Sequence, residues 1–285
     1  MKNKILCLSL IMIFAALILN AADSIDKLGQ STMTYLKINP LAKFSAMGGA
    51  GFVDAFGIEG TYMNPAGVAW LSEKDENKVA FNFSNKMWLG DTDIYFFSGI
   101  YEVENVGVFG LSMSALSFTD TRRTSEDDID GENDIYDASG ENLLSEFIDI
   151  GDFSIGLIYS RMITETLSMG GKVKFVNSTL DKYDGKGVAF DIGTIYYTGF
   201  RTLRLGIGMF NYGSKIEFQQ DSYHLPLMFK IGVGYDFELA EKNILKVLVD
   251  YVDPNDYAYY LNSGMEYSYA NMFFARAGYK YNHDL

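Results

Sequence analysis

The sequence predicts an all-β fold, a transmembrane antiparallel β-barrel with an N-terminal plug, and three observations carry that prediction. From residue 78 onward, segments of 10 to 14 residues alternate apolar with polar or small side chains, the mark of strands with two unlike faces. The polar face is rich in Gly and Ser with isolated Lys, Arg and Asp, whereas the wet face of a soluble sandwich carries Lys, Glu and Thr with few glycines. Tight connections alternate with longer ones, as in barrels whose turns are short on one side of a bilayer and long on the other. A sandwich also alternates, but strands of this length suit a tilted bilayer crossing better.

The first element, residues 1–22, reads as a secretory signal peptide: Lys2 and Lys4, an apolar run from Ile5 to Leu19, then Asn20-Ala21-Ala22. The run is short for a helical span, which disfavours a membrane anchor. The only cysteine, Cys7, lies inside it without the small residues that precede a lipidated cysteine. The mature chain is therefore expected to have no thiol, which excludes disulfides, Cys nucleophiles and Cys-ligated metals. The remainder suffices for one large domain, with 15% aromatics, 28 Gly and only 4 Pro. Mean hydropathy is near zero, as it is in a barrel whose lumen and lipid faces average out. A net charge of −14 argues against nucleic acid as a partner, because phosphate binding relies on Lys and Arg.

The second element is a plug over residues 23–77, organised around Ser45 to Trp70. Gly48, Gly49 and Gly51 permit positive φ and close backbone approach. In Met63-Asn64-Pro65-Ala66-Gly67, Asn64 is suited to cap a turn, Pro65 to occupy its first position and Gly67 to end it. The pairing of Met47-Gly48-Gly49-Ala50 with Asn64-Pro65-Ala66-Gly67 resembles the N-terminal signature of the PorV/PorQ family, outer-membrane barrels related to the FadL hydrophobic-compound channels. The resemblance implies a plug motif made of those eight residues, a barrel of fourteen strands, and the outer membrane of a Gram-negative-type bacterium.

The third element, residues 78–285, is the barrel. Expected strands are 78–87, 91–103, 105–118, 150–163, 165–177, 187–198, 200–212, 225–239, 243–253, 257–268 and 270–281. In the clearest, Phe229, Ile231, Val233, Tyr235 and Phe237 oppose Met228, Lys230, Gly232, Gly234 and Asp236. Every second connection is tight, as at Glu102–Asn105, Ile163–Glu165 and Ala240–Lys242, and these are assigned to the periplasmic side with the plug. Eleven strands is an odd number, which leaves an unpaired edge. Set beside the fourteen of FadL-like barrels, it implies about three missing C-terminal strands.

Most of the surplus negative charge falls in the longest connection, Thr119 to Asp149. Its stretch Glu126 to Asp137 departs from a calcium loop at the first, eighth and twelfth positions and is read as a solvated acidic loop. His224 and His283 are far apart, and no nucleophile elbow or phosphate-cradling loop is present, so no enzyme activity, cofactor or metal is expected. Lys172, Lys174, Asp191, Arg204, Lys230, Asp236, Asp250 and Arg276 are lumen-facing candidates, either a charge ladder pairing across strands or the lining of a substrate path.

Two functions follow from the resemblance. Likeness to PorV/PorQ implies a component of protein secretion or surface attachment of the type IX kind, whose partners are outer-membrane lipid and secretion-system components or secreted cargo. Likeness to FadL implies passive uptake of hydrophobic small molecules. A sealed, filled lumen favours the first; a kinked strand, a wall gap and an apolar pocket under the long loops favour the second.

Overall fold

The computed structural model describes residues 30–71, 78–118, 148, 150–181, 183–218 and 221–282. The expected signal peptide with Cys7, the acidic stretch of the longest connection and His283 lie outside the described residues. Strands are β1 Val79–Trp88, β2 Thr92–Val103, β3 Gly107–Phe118, β4 Ile150–Met162, β5 Leu167–Leu180, β6 Tyr183–Tyr197, β7 Arg204–Gly213, β8 Ile216–Phe218, β9 Asp221–Tyr223, β10 Met228–Ala240, β11 Asn243–Pro254, β12 Tyr260–Tyr269 and β13 Phe273–Tyr281. Eleven of them form one antiparallel sheet in chain order, with β7 next to β10, while β8 and β9 pair only with each other.

Two expectations are corrected. The connection foreseen at 178–186 is mostly strand, because β5 and β6 stay in register out to Leu180 opposite Tyr183. The long connection before β10 contains the β8–β9 hairpin, whose three-residue strands are too short to leave a readable alternation.

Along parts of the sheet burial is the reverse of that in a water-soluble protein, although the covered face also buries apolar residues such as Phe96, Ile100 and Leu248. Ser168, Lys172 and Lys174 of β5 are buried while Met169, Val173 and Phe175 between them are exposed. The same holds in β7, where Arg204 is 2% exposed and Leu205 and Ile207 are 39% and 53% exposed. Large apolar side chains normally leave water and charges stay in it. Here Phe81, Phe97, Leu157, Phe190 and Phe229 point away from the covered face. A row of cross-strand neighbours, Tyr101, Phe109 and Tyr159, runs over β2 to β4 towards the short-turn end, with Phe109 and Tyr159 ring centroids 5.1 Å apart.

What covers the other face is the N-terminal segment 30–71. It carries two one-turn helices, α1 Ala42–Ser45 and α2 Gly60–Met63, and 3-10 turns at Thr34–Lys37, Gly57–Glu59 and Pro65–Ala69. Ser84 of β1 donates to the Pro40 carbonyl (2.6 Å), and Met47 lies against Gly278 of β13. A sheet whose first and last strands touch one short segment is curled around it. The segment runs the length of the strands. Thr32 N–H donates to the His224 carbonyl beside the β9–β10 connection, and Trp70 Nε1 donates to Ser168 Oγ (2.6 Å) at the short-turn end. The sequence placed the plug at the short-turn side; only its later part lies there, because the groove that receives it extends along the whole sheet.

Glycines on the inner face form that groove. A Cβ on Gly193 would lie 2.0 Å from Asn64 Oδ1, one on Gly170 2.3 Å from the Pro65 carbonyl, and one on Gly208 2.8 Å from the Phe52 ring. Gly171, one residue along β5, has nothing nearer than 3.7 Å. Gly193→Ala is accordingly expected to lower stability by about 1–3 kcal/mol through overpacking, and Gly171→Ala to leave it unchanged or slightly raised. Paired urea denaturation curves check this.

Candidate functional site

The candidate site is the charged inner face where the segment meets the sheet. Asp236, Lys246, Glu266 and Arg276 are successive cross-strand neighbours over β10 to β13, so their charges alternate in one row. Arg276 Nε donates to Glu266 at 2.6 Å, and Lys246 lies 4.0 Å from Glu266. Arg204 of β7 joins the row with two bonds to Asp236, at 2.8 and 2.7 Å.

Into this row the segment inserts Asp54, whose side chain is wholly buried. Its turn is closed by Asp54 N–H donating to the Gly51 carbonyl (3.0 Å). Arg204 Nη2 donates to its carboxylate at 3.0 Å, Lys246 Nζ at 3.0 and 3.1 Å, and Lys43, paired with Glu59 at 2.7 Å, stands 3.7 Å away. Taking a carboxylate out of water costs several kcal/mol unless such partners are fixed around it. The guanidinium also lies over the Phe56 and Tyr197 rings, at 5.8 and 5.7 Å.

A second cluster lies nearer the other end. Lys174 is 2.8 Å from Asp191 and also donates to Asn211 Oδ1. Asn211 sits in a bulge of β7 at φ 58°, where both Phe210 and Asn211 are buried, and its N–H donates to Asp191 (2.7 Å). Lys172 Nζ donates to the Thr61 carbonyl (3.2 Å), and Asp250 accepts from the N–H groups of Gly51 (2.8 Å) and Phe52 (3.0 Å). Lys230 stands 4.8 Å over the Phe210 ring.

Of the eight charged residues singled out in the sequence, Lys172, Arg204 and Asp250 bond directly to the segment, Asp236 reaches it through Arg204, Lys174 pairs with Asp191, Arg276 pairs with Glu266, and Lys230 lies over the Phe210 ring. Of the motif residues, Met47 and Ala50 are fully buried, and Gly48 and Gly49 have φ of 66° and 87°. Asn64 caps the turn, accepting from Ala66 N–H (3.0 Å) while donating to the carbonyls of Phe52 (3.1 Å) and Thr194 (3.2 Å). Pro65 opens that turn, as its fixed φ suits. Gly67 does not end it: the turn runs to Ala69, and Gly67 is small because a Cβ would lie 1.8 Å from the Ala55 carbonyl.

Sequence reasoning missed Asp54, Lys246, Glu266 and Asn211. The polar position of β11 and of β12 in the alternation was the available signal for Lys246 and Glu266; nothing local marks Asp54. Chemically the arrangement clamps. Most of its ions are paired to one another, Lys172 and Asp250 bond to the backbone of the segment, and among the described residues no group of three or more His, Cys, Asp or Glu is placed to hold a metal. No family model matches the chain, and no curated protein matches it.

Asp54→Asn leaves Arg204 and Lys246 short of a counter-charge. A loss of about 3–5 kcal/mol is expected, together with faster cleavage within residues 30–71 by protease while the sheet remains resistant. Burial also pushes the Tyr35 hydroxyl in the segment up to about 12, and that of Tyr62, which donates to the Ile38 carbonyl (2.7 Å), upward as well. A raised folded value means stability intact below the unfolded tyrosine pKa of about 10 and lost as pH climbs from there through the folded value. Tyr35→Phe should remove its share of that loss, visible as a shallower fall of unfolding midpoint between about pH 10 and 12.

Proposed function

We propose that the chain is an outer-membrane β-barrel protein serving protein secretion or surface attachment, of the kind the PorV/PorQ resemblance implies. The observation that carries the membrane part is the reversed burial: apolar and aromatic side chains are exposed along ten of the eleven sheet strands, all but β11, while Ser, Lys, Asp and Arg are enclosed. Strands of ten residues and more, at about 3.3 Å per residue and a tilt of about 40°, match an apolar band of about 25 Å. Among the described residues no helix is long and apolar enough to cross a membrane.

The secretion part is supported by the way the interior is occupied. Segment 30–71 runs from end to end and is tied to the wall by ion pairs and by a lysine-to-carbonyl hydrogen bond, which suits a carrier or anchor that works through its surface better than a conduit. The uptake reading is favoured by one feature, the β7 bulge beside an apolar cluster of Met33, Tyr35, Val176, Ile216 and Leu225.

The full chain, expressed with its own N-terminus in a Gram-negative host, is expected in the outer-membrane fraction and to give no conductance steps in planar bilayers. Deletion in the native host is expected to strand secreted cargo in the periplasm. Discrete conductance, or loss of hydrophobic-compound uptake with secretion intact, would decide for the alternative. Recovery in detergent-free soluble extract would remove both.

A further inference from the structure

The β6–β7 junction has the least complete ladder in the sheet. Ala189 and Phe190 pair with Gly213 and Tyr212, Ile192 and Gly193 with Met209 and Gly208, and Tyr196 and Tyr197 with Leu205 and Arg204, with a break between one group and the next. β5, by contrast, pairs without interruption with β4 from Ser168 to Leu180 and with β6 from Leu167 to Leu180. Side chains fill both breaks. At the first, the Asn211 N–H donates to the Asp191 carboxylate (2.7 Å). At the second, Thr194 Oγ1 accepts from the Ile207 N–H (3.2 Å) and donates to the Ile207 carbonyl (3.1 Å), so a hydroxyl stands in for backbone groups of β6. A junction with so interrupted a ladder opens at lower free energy than its neighbours.

The N-terminal segment lies across this junction and grips both sides. On the β6 side, Asn64 Nδ2 donates to the Thr194 carbonyl (3.2 Å), and Asn64 Oδ1 lies over Gly193. On the β7 side, successive inward positions all rest on one turn. Arg204 donates to Asp54 (3.0 Å), a Cβ on Gly206 would lie 2.7 Å from the Val53 side chain, Gly208 receives the Phe52 ring, and the Phe210 ring meets that of Phe52 edge-on at 5.8 Å. The two grips are joined, because Asn64 Nδ2 also donates to the Phe52 carbonyl (3.1 Å). β10 touches the same turn through Gly232 and Gly234, but its register is unbroken with β11 from Met228 to Glu238 and with β7 from Met228 to Gly234.

We infer that the β6–β7 junction is a seam at which the sheet opens locally, and that the segment is the strap that keeps it shut, with Asn64 joining the strap's two ends. Opening parts β7 from β6 and leaves it on β10. The β8–β9 hairpin moves with β7, since it pairs with no strand of the sheet and meets β6 through the Ile216 and Phe218 side chains over Gly185 and Gly187. The Thr194 hydroxyl satisfies Ile207 in the closed state without a full ladder, so closure depends on side chains that the strap itself positions. Segment and wall are thereby coupled: displacing the stretch from Phe52 to Asn64 frees the seam. Neither reading of function contains this coupling, and it holds without the membrane reading.

The test is native-state amide hydrogen exchange on the full chain, followed as urea is raised below the unfolding transition. Amides from Leu205 to Met209 are expected to exchange through a local opening, insensitive to low urea and at least roughly tenfold faster than those of β5 from Lys172 to Val176. Asn64→Ala is expected to speed exchange at Leu205 to Met209 by at least roughly fivefold, because the bonds it removes are bonds the opening must break. A disulfide between the facing positions Tyr196→Cys and Leu205→Cys, made in a Cys7→Ser background, is expected to abolish the local route when oxidised and restore it when reduced. That pair keeps the comparison available if Asn64→Ala does not fold. Exchange of β7 only together with β5, a local route that survives the disulfide, or unchanged β7 exchange in an Asn64→Ala chain whose unfolding midpoint has fallen would each overturn the inference.

Discussion

Asp54 is the contact on which the arrangement of this molecule rests. A single buried carboxylate receives Arg204 from β7 and Lys246 from β11, two strands separated in the sheet by β10, and stands within reach of Lys43 from its own segment. Each of those cations is answered again, Arg204 by Asp236 and Lys246 by Glu266, so the charges form a continuous network. An ion enclosed without a partner is too costly to keep. The segment's carboxylate is therefore tolerable only with the sheet in place, and it gives Arg204 and Lys246 a counter-charge beyond those the sheet supplies.

The glycines follow from the same requirement. For Asp54, the Asp250-bound turn at Gly51 and Phe52, and Asn64 to reach their partners, the segment's backbone must lie almost on that of the strands. Gly206, Gly208, Gly232 and Gly234 receive Phe52 and Val53; Gly170 and Gly193 receive Pro65 and Asn64; Gly264 and Gly278 receive Met47. Each is a position where a methyl group would collide with the segment. The inner face is thus small where it is crowded and charged where it is tied, and both properties are set by what it encloses.

This explains what could be read from the sequence and what could not. Alternation is a local property, so the positions of the eleven long strands and the identity of the polar face were legible from residues such as Lys230, Gly232, Gly234 and Asp236 alone. The meaning of the glycines was half legible: they mark a face without bulk, but the occupant that needs the space lies far away in the chain, as Asn64 does from Gly193. Asp54 was invisible for the same reason, since its partners are 150 and 192 residues distant. The Asn64-Pro65 turn was readable because its cap is made within the turn itself. Gly67 was misread because glycine ends turns and admits close neighbours by the same lack of a side chain, and only the Ala55 carbonyl distinguishes the two.

The separation of these contacts constrains how the molecule assembles. Gly51 and Asp250 meet across 199 residues, and contacts that distant form late because the intervening loop must be closed first. The segment is made before every strand, yet its partners extend to β13. Adjacent strands, by contrast, pair through connections as short as 181–182 and 241–242. Neighbouring strands can add one by one, each bringing its glycines and charges against a segment already present.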